Sequence, residues 1–180
     1  MTFNKNMLSS EDQDWQTPDY VFDFLDKEFD FEGDPCPVFE NGKQLFNGLE
    51  ISWAAGMNFV NPPYTNLDKW IDKGIKEQAK KNYSVFLIPS RTDPKWFKKI
   101  MLNATEIRFV IGRIHFIPSK KRKNKERNTF GSMIVYFGPK PDFSRNKKGK
   151  NKGELILEAY PKISIIMRDS MKNLKNIRMA

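Results

Sequence analysis

Apolar residues fall in short runs and spaced groups along this chain, and each spacing predicts an element. Val21, Phe22 and Leu25 recur at helical spacing, so a helix is predicted from about Pro18 to Lys27, with Thr17 as N-cap and Pro18 as first helical residue. Phe29 to Phe31 is apolar and alternating and reads as a strand ending near Asp34-Pro35. Residues 36–57 carry Gly42, Gly48 and Gly56 among polar residues and predict no long element. Asn58-Phe59-Val60 reads as a strand that runs into Asn61-Pro62-Pro63-Tyr64, where the prolines stop it. Leu67, Trp70, Ile71, Ile75 and Ala79 mark one face of a helix. Ser84 to Pro89 is a continuous apolar run, as in a strand buried on both faces. Pro94 to Asn103 reads as a helix, with Trp96 and Phe97, like Trp70, as core residues. Glu106 to Ile111, Ile114 to Ile117 and Ser132 to Phe137 read as strands, and Ile163 to Met167 is the last apolar run.

Strands alternating with helices predict an α/β domain with a mostly parallel sheet. The late strands, joined by a charged loop, predict an antiparallel edge. A length of 180 residues with 39% hydrophobic content suits one domain over 1–180, with a flexible polar stretch at 1–14. No apolar run approaches the roughly 20 residues needed to cross a bilayer. The polar start lacks a signal core, so a cytoplasmic protein is expected. A single cysteine, Cys36, allows no internal disulfide and no zinc cluster, and a single histidine, His115, leaves little for a Ser-His-Asp triad. Carboxylates show no metal-binding pattern, so no metal is expected and a nuclease is disfavoured.

Charge adds a partner. The net charge is +9, and it is concentrated. SKKRKNKER at 119–127 holds six basic residues and one acid, and RNKKGKNK at 145–152 holds five basic residues and no acid. The rest of the chain is close to neutral. Two basic loops, 119–128 and 144–153, on a neutral body favour a polyphosphate such as DNA, through release of condensed counterions. Arg91, Arg113, Lys120, Lys121, Arg122 and Lys123 are the candidate DNA contacts. Solvated loops that only keep the protein soluble are the alternative.

The chemistry lies in Asn61-Pro62-Pro63-Tyr64. An exocyclic amino nitrogen of a DNA base is a poor nucleophile, because its lone pair is delocalised into the ring. Two oxygen acceptors on its hydrogens free that pair. The Asn61 side-chain oxygen and the Pro62 carbonyl can be those acceptors, held ready by the two prolines. Tyr64 offers a face for the base to stack on. A sulfonium methyl donor would sit beside the nitrogen, and no strong general base is needed. The target base must leave the stack to reach such a donor. The turn follows a strand, and in open α/β sheets ligands bind beyond the carboxyl ends of strands.

The chain resembles the phage-encoded adenine-N6 DNA methyltransferases, the small Dam-like family. The residues that carry the resemblance run in order from Trp15-Gln16-Thr17-Pro18 through Phe31 and Asp34-Pro35-Cys36 to Leu49 and Trp53. Phe59 to Tyr64 follow, then Leu87-Ile88-Pro89 with Arg91, Trp96-Phe97, Gly112-Arg113 with Phe116, and Gly131-Ser132. The resemblance implies a Rossmann-like fold that uses S-adenosylmethionine to methylate adenine N6 in DNA. It implies that Asn61, Pro62, Pro63 and Tyr64 hold the target base. It implies a cofactor site of Thr17, Pro18 and Asp34, with Pro35 and Asn61 beside them and Trp15 as cover. The glycine-rich cofactor loop is reduced to Gly33-Asp34-Pro35, and Asn47 stands where an acid is expected. Cytosine N4 methylation and a non-catalytic DNA-binding protein on a degenerate scaffold are the alternatives. Any DNA sequence preference must come from loops such as 119–131 or from 36–57. A role in restriction-modification, as protection, and a regulatory role would look the same in sequence.

Overall fold

The computed structural model describes residues 15–37, 46–118, 130–139, 162–167 and 171–172. Residues 1–14, the first basic run and the second lie outside them. Helix α1 spans Asp19–Phe29. It ends because Asp30 turns into the left-handed region, at φ 53. The Asp30 N–H donates to Asp26 O at 2.8 Å and the Phe31 N–H to Asp26 Oδ1 at 3.0 Å. The predicted strand at Phe29 to Phe31 therefore does not form. Phe29 closes the helix, and Phe31 packs 5.4 Å from the Phe59 ring. Thr17 also departs from expectation: the residue before the helix is Pro18, in an extended conformation, and no side chain caps the helix.

The main sheet contains β2 (Gly56–Val60), β3 (Asn82–Pro89), β4 (Glu106–Ile111), β6 (Ser132–Phe137) and β7 (Lys162–Met167). Its order is β2-β3-β6-β4-β7. Helix α2, Leu67–Ala79, carries the chain from β2 to its parallel neighbour β3. Helix α3, Lys95–Asn103, leads from β3 to β4. β3 and β4 do not pair with each other. β6 runs antiparallel to both and sits between them, while β7 lies parallel to β4. The antiparallel strand is thus interior, not the edge that the sequence suggested. Four strands share a direction and one opposes them.

Side chains alternate along these strands, so each face carries its own core. Val60, Phe86, Ile88, Ile107, Met133 and Val135 pack against Leu67, Trp70, Ile71 and Ile100 of α2 and α3. Phe59, Val85, Leu87, Val110 and Ile134 pack against Val21 and Leu25 of α1. Trp70 is buried, and Trp96 and Phe97 lean on the first of these cores, as expected. Ala79, expected on the buried face of α2, is exposed, and Gly74, Glu77 and Gln78 fill that face. Glu77 is tolerated there because Lys73 and Lys80 reach it at 2.8 and 3.0 Å and Asn82 donates to it at 2.7 Å.

Ile114 and Phe116 are buried, yet only Ile117–Pro118 of the predicted strand over 114–117 pairs, as β5. Its partner is β1, Trp15–Gln16, in a two-stranded antiparallel ribbon apart from the main sheet. No helix among the described residues is long and apolar enough to cross a membrane.

Candidate active site

β2 ends at Val60, and the Asn61-Pro62-Pro63 turn follows into a 3-10 turn at Tyr64–Asn66 and then α2. The prolines hold the backbone extended; Pro63 has φ −54 and ψ 127. Pro62 is buried, while Asn61 and Tyr64 are half-buried. The Asn61 Nδ2 donates to Thr17 Oγ1 at 3.1 Å. That contact orients the amide, with the nitrogen toward Thr17 and Oδ1 away from it. Among the described residues no donor pairs with Oδ1. The hydroxyl that the sequence assigned to a helix cap instead anchors Asn61. Burial pushes the Tyr64 phenol above its ordinary range, so it stays neutral.

The Asp34 loop lies alongside. The Glu32 N–H donates to Met57 O and the Phe59 N–H to Gly33 O, both at 2.8 Å, with Gly33 bridging parallel to Asn58. This segment borders β2 on the side away from β3 and delivers Asp34-Pro35-Cys36 beside Asn61. The Asp34 Oδ1 accepts the Cys36 N–H at 2.9 Å. Burial raises the Asp34 carboxyl to about 6. The Cys36 thiol lies against the Asp34 carboxyl and the Asn61 backbone N–H. Burial and the nearby Asp34 charge push that thiol well up. Cys36 is thus a neutral bridge between the acidic loop and the proline turn.

Three further residues shape the loop. A Cβ on Gly48 would stand 1.9 Å from Pro35 O, so only glycine lets the 47–50 turn back the Asp34 loop this closely. The Trp53 Nε1 donates to Gly48 O at 2.8 Å. Asn47, in the position where an acid was expected, accepts the Leu49 N–H at 3.1 Å and starts that turn. Asn58, buried in β2, bonds Ala54 through both ends of its amide and also donates to Tyr83 O. Sequence pattern alone assigns Cys36, Gly48, Asn58 and Trp53 no role. An Asn-Gly pair in a stretch without periodicity was the only local signal for the turn.

Thr17, Asp34, Pro35, Asn61, Pro62, Pro63 and Tyr64 therefore come together, with Pro18 buried beside Thr17. Trp15 stands two residues away in the β1–β5 ribbon, half-buried against the α1 core. Arg91 follows β3, pairs with Asp93 at 2.6 Å and lies 5.4 Å over the Phe130 ring. Arg113 is exposed beyond β4. Both arginines are at the carboxyl end of their strands, the end that carries Asn61. Lys120, Lys121, Arg122 and Lys123 lie outside the described residues. Among the described residues, no group of His, Cys, Asp or Glu could hold a metal ion.

A rigid acceptor beside a buried acidic loop is suited to gripping an amino group next to a cationic donor. A family model for DNA N-6-adenine-methyltransferase (Dam) matches residues 4–175. The DNA N-6-adenine-methyltransferase of Haemophilus phage HP1 (strain HP1c1) is 29% identical over 157 residues, covering 82% of this chain and 91% of that protein. The DNA N-6-adenine-methyltransferase of Escherichia phage T1 is 26% identical over 143 residues, covering 67% of this chain and 60% of that protein. The acceptor turn, the acidic loop beside it and a match that spans most of the sequence lead to one family: this chain belongs to the DNA N-6-adenine-methyltransferase (Dam) family.

Proposed function

We infer that this DNA adenine-N6 methyltransferase takes its methyl group from S-adenosylmethionine, bound at the Asp34 loop, and holds the target amino group at Asn61 and Pro62. The observation that carries this reading is the Asn61 amide. Thr17 engages its nitrogen at 3.1 Å, which leaves its oxygen as an acceptor at the carboxyl end of β2. The Pro62 carbonyl is the second acceptor, and the turn holds both before the base arrives. Tyr64 supplies the stacking face.

The donor set suits the cofactor. Asp34 is a buried carboxyl with no cationic side chain among the causes of its shift, and burial holds its pKa at about 6. Its acceptors match the hydroxyl and ammonium groups that S-adenosylmethionine carries. When bound, the cofactor supplies an electrophilic methyl on a cationic sulfur. Thr17 fixes the Asn61 oxygen, Asn61 and Pro62 polarise the amino group, and Cys36 keeps the two halves in register. The four co-directional strands, with β6 reversed among them and residues 31–34 bordering β2, support a Rossmann-like reading of the fold. The two basic runs support DNA backbone contact.

Incubation with tritiated S-adenosylmethionine and unmethylated DNA, followed by digestion to nucleosides, tests the reading. Label should appear in N6-methyldeoxyadenosine. Label in N4-methyldeoxycytidine would reassign the base, and DNA binding without any label would return the chain to the non-catalytic alternative.

A further inference from the structure

Three buried side-chain atoms among the described residues have no hydrogen-bond partner: Gln78 Oε1, Ser84 Oγ and Ser132 Oγ. Leaving a buried hydroxyl unpaired is destabilising, so each such atom needs a reason. Their places in the sheet differ. Gln78 ends α2 near Gly138, and Ser84 begins the buried part of β3, opposite Phe137. Both lie at the end of the sheet away from Asn61. Ser132 opens β6 opposite Pro89, the last residue of β3. Because β6 is antiparallel, its first residue sits at the carboxyl end of β3, the end where Asn61 leaves β2.

The face is also right. Ile134, two residues on, packs with Val21 and Leu25 in the core under α1. Ser132 shares that face. Thr17, just before α1, holds the Asn61 amide on the same side. Val60 pairs with Phe86, so β3 runs three residues further, to the level of the proline turn, before it meets Ser132. Ser132 is 1% exposed. β2 and β6 are separated by β3 alone, a lateral distance on the order of 10 Å.

The rest follows from where a base can lie, and it rests on the reading that Asn61 and Pro62 hold the amino group. The amino hydrogens point at those two acceptors, so the ring extends away from them. The outer side of β2 is filled by the Asp34 loop. The ring therefore extends over the ends of β3 and β6, and a purine is long enough to bring its ring edge to the Ser132 hydroxyl. We propose that Ser132 contacts the target base, its Oγ donating a hydrogen bond to a ring nitrogen of the extruded adenine. The orphaned hydroxyl is then a position kept for substrate, while Ser84 is an unpaired hydroxyl without that opportunity.

The test compares the full-length parent chain, Ser132→Ala, Ser84→Ala and Asn61→Ala on a duplex whose methylated position has been mapped. The target carries adenine or 1-, 3- or 7-deazaadenine. Ser132→Ala should lower kcat/KM on adenine about ten-fold. One deaza base should cost the parent a similar factor and cost Ser132→Ala nothing further. The Tm of Ser132→Ala should stay level or rise, because an unpaired buried hydroxyl is removed. Ser84→Ala should show the same Tm behaviour with parental kinetics. Deaza penalties that are equal in the parent and Ser132→Ala would overturn the proposal, and so would a fall in Tm that accompanies the loss of activity. Asn61→Ala separates the two levels. If it is inactive while the deaza penalties ignore Ser132, only the Ser132 contact fails. If it is fully active, the grip on the amino group fails and the Ser132 contact with it.

Discussion

Asn61 can present an oxygen to a substrate because Thr17 occupies its nitrogen, at 3.1 Å. Asn61→Ala should therefore remove methyl transfer, by about 100-fold or more, while filter binding shows labelled cofactor still retained. Thr17→Val should free the amide to rotate and lower kcat about ten-fold, and Thr17→Ser should restore it. Asp34 makes a pH-dependent prediction. Its carboxyl titrates at about 6 in the folded chain against 3.8 when unperturbed. The folded state binds that proton more tightly, so folding loses stability as pH rises from about 4 to 6 and the loss is complete above 6. In the proposed cofactor site the ionised form would be the acceptor for the hydroxyl and ammonium groups of S-adenosylmethionine. Calorimetric affinity for S-adenosylmethionine should thus rise with pH through about 6 and then level off. Asp34→Asn should bind more weakly with a flat profile; a profile unchanged by that substitution would exclude Asp34 from the cofactor site.

At the scale of elements, α2 buries a paired carboxylate, Glu77. Burial pushes the Glu77 carboxyl up, but hydrogen bonds from Lys73, Asn82 and Lys80 outweigh it and hold the pKa near 2 against 4.5. The stability this gives is complete above pH 4.5 and is lost as pH falls toward 2. Glu77→Ala should cost about 3 kcal/mol, read as a lower urea midpoint with an unchanged slope, the lower end for a buried pair because Lys80 stays half in water. The helices and the strands of the main sheet were legible because their burial follows periods of 3.6 and 2. The region near Phe29 misled because an aromatic at a helix end, a left-handed Asp30 and Phe31 mimic alternation. Ile114 and Phe116 do alternate in burial, but they lack a neighbouring strand until Ile117 meets Gln16. No local pattern records a ribbon between residues that far apart in sequence. For the same reason Asn61 and Asp34 could be named from sequence, while the Cys36 bridge and the tight Gly48 contact could not.

At the scale of the molecule, the net charge of +9 is concentrated in two runs, which are the proposed DNA contacts. DNA affinity should fall steeply with salt, each phosphate contact adding about −0.9 to the log–log slope. Replacing Lys120, Lys121, Arg122 and Lys123 with glutamine should flatten that slope in proportion to the phosphates these side chains neutralise, and a slope unaffected by the change would leave the run as solvated surface. The interior position of β6 has a consequence for how this molecule is made. A ribosome completes β2, α2, β3, α3 and β4 before Ser132 emerges, yet β3 and β4 share no ladder and are joined only through β6. The nascent chain holds the β2–β3 pair and an unpaired β4, because both ladder neighbours of β4, β6 and β7, are made later. Closure is therefore a long-range event of high contact order, and the slow step of folding should be the arrival of residues 132–137. That step also brings Gly131 to Ser90 and so assembles the carboxyl rim of the sheet, which means a chain stalled before it has an acceptor turn but no finished cleft.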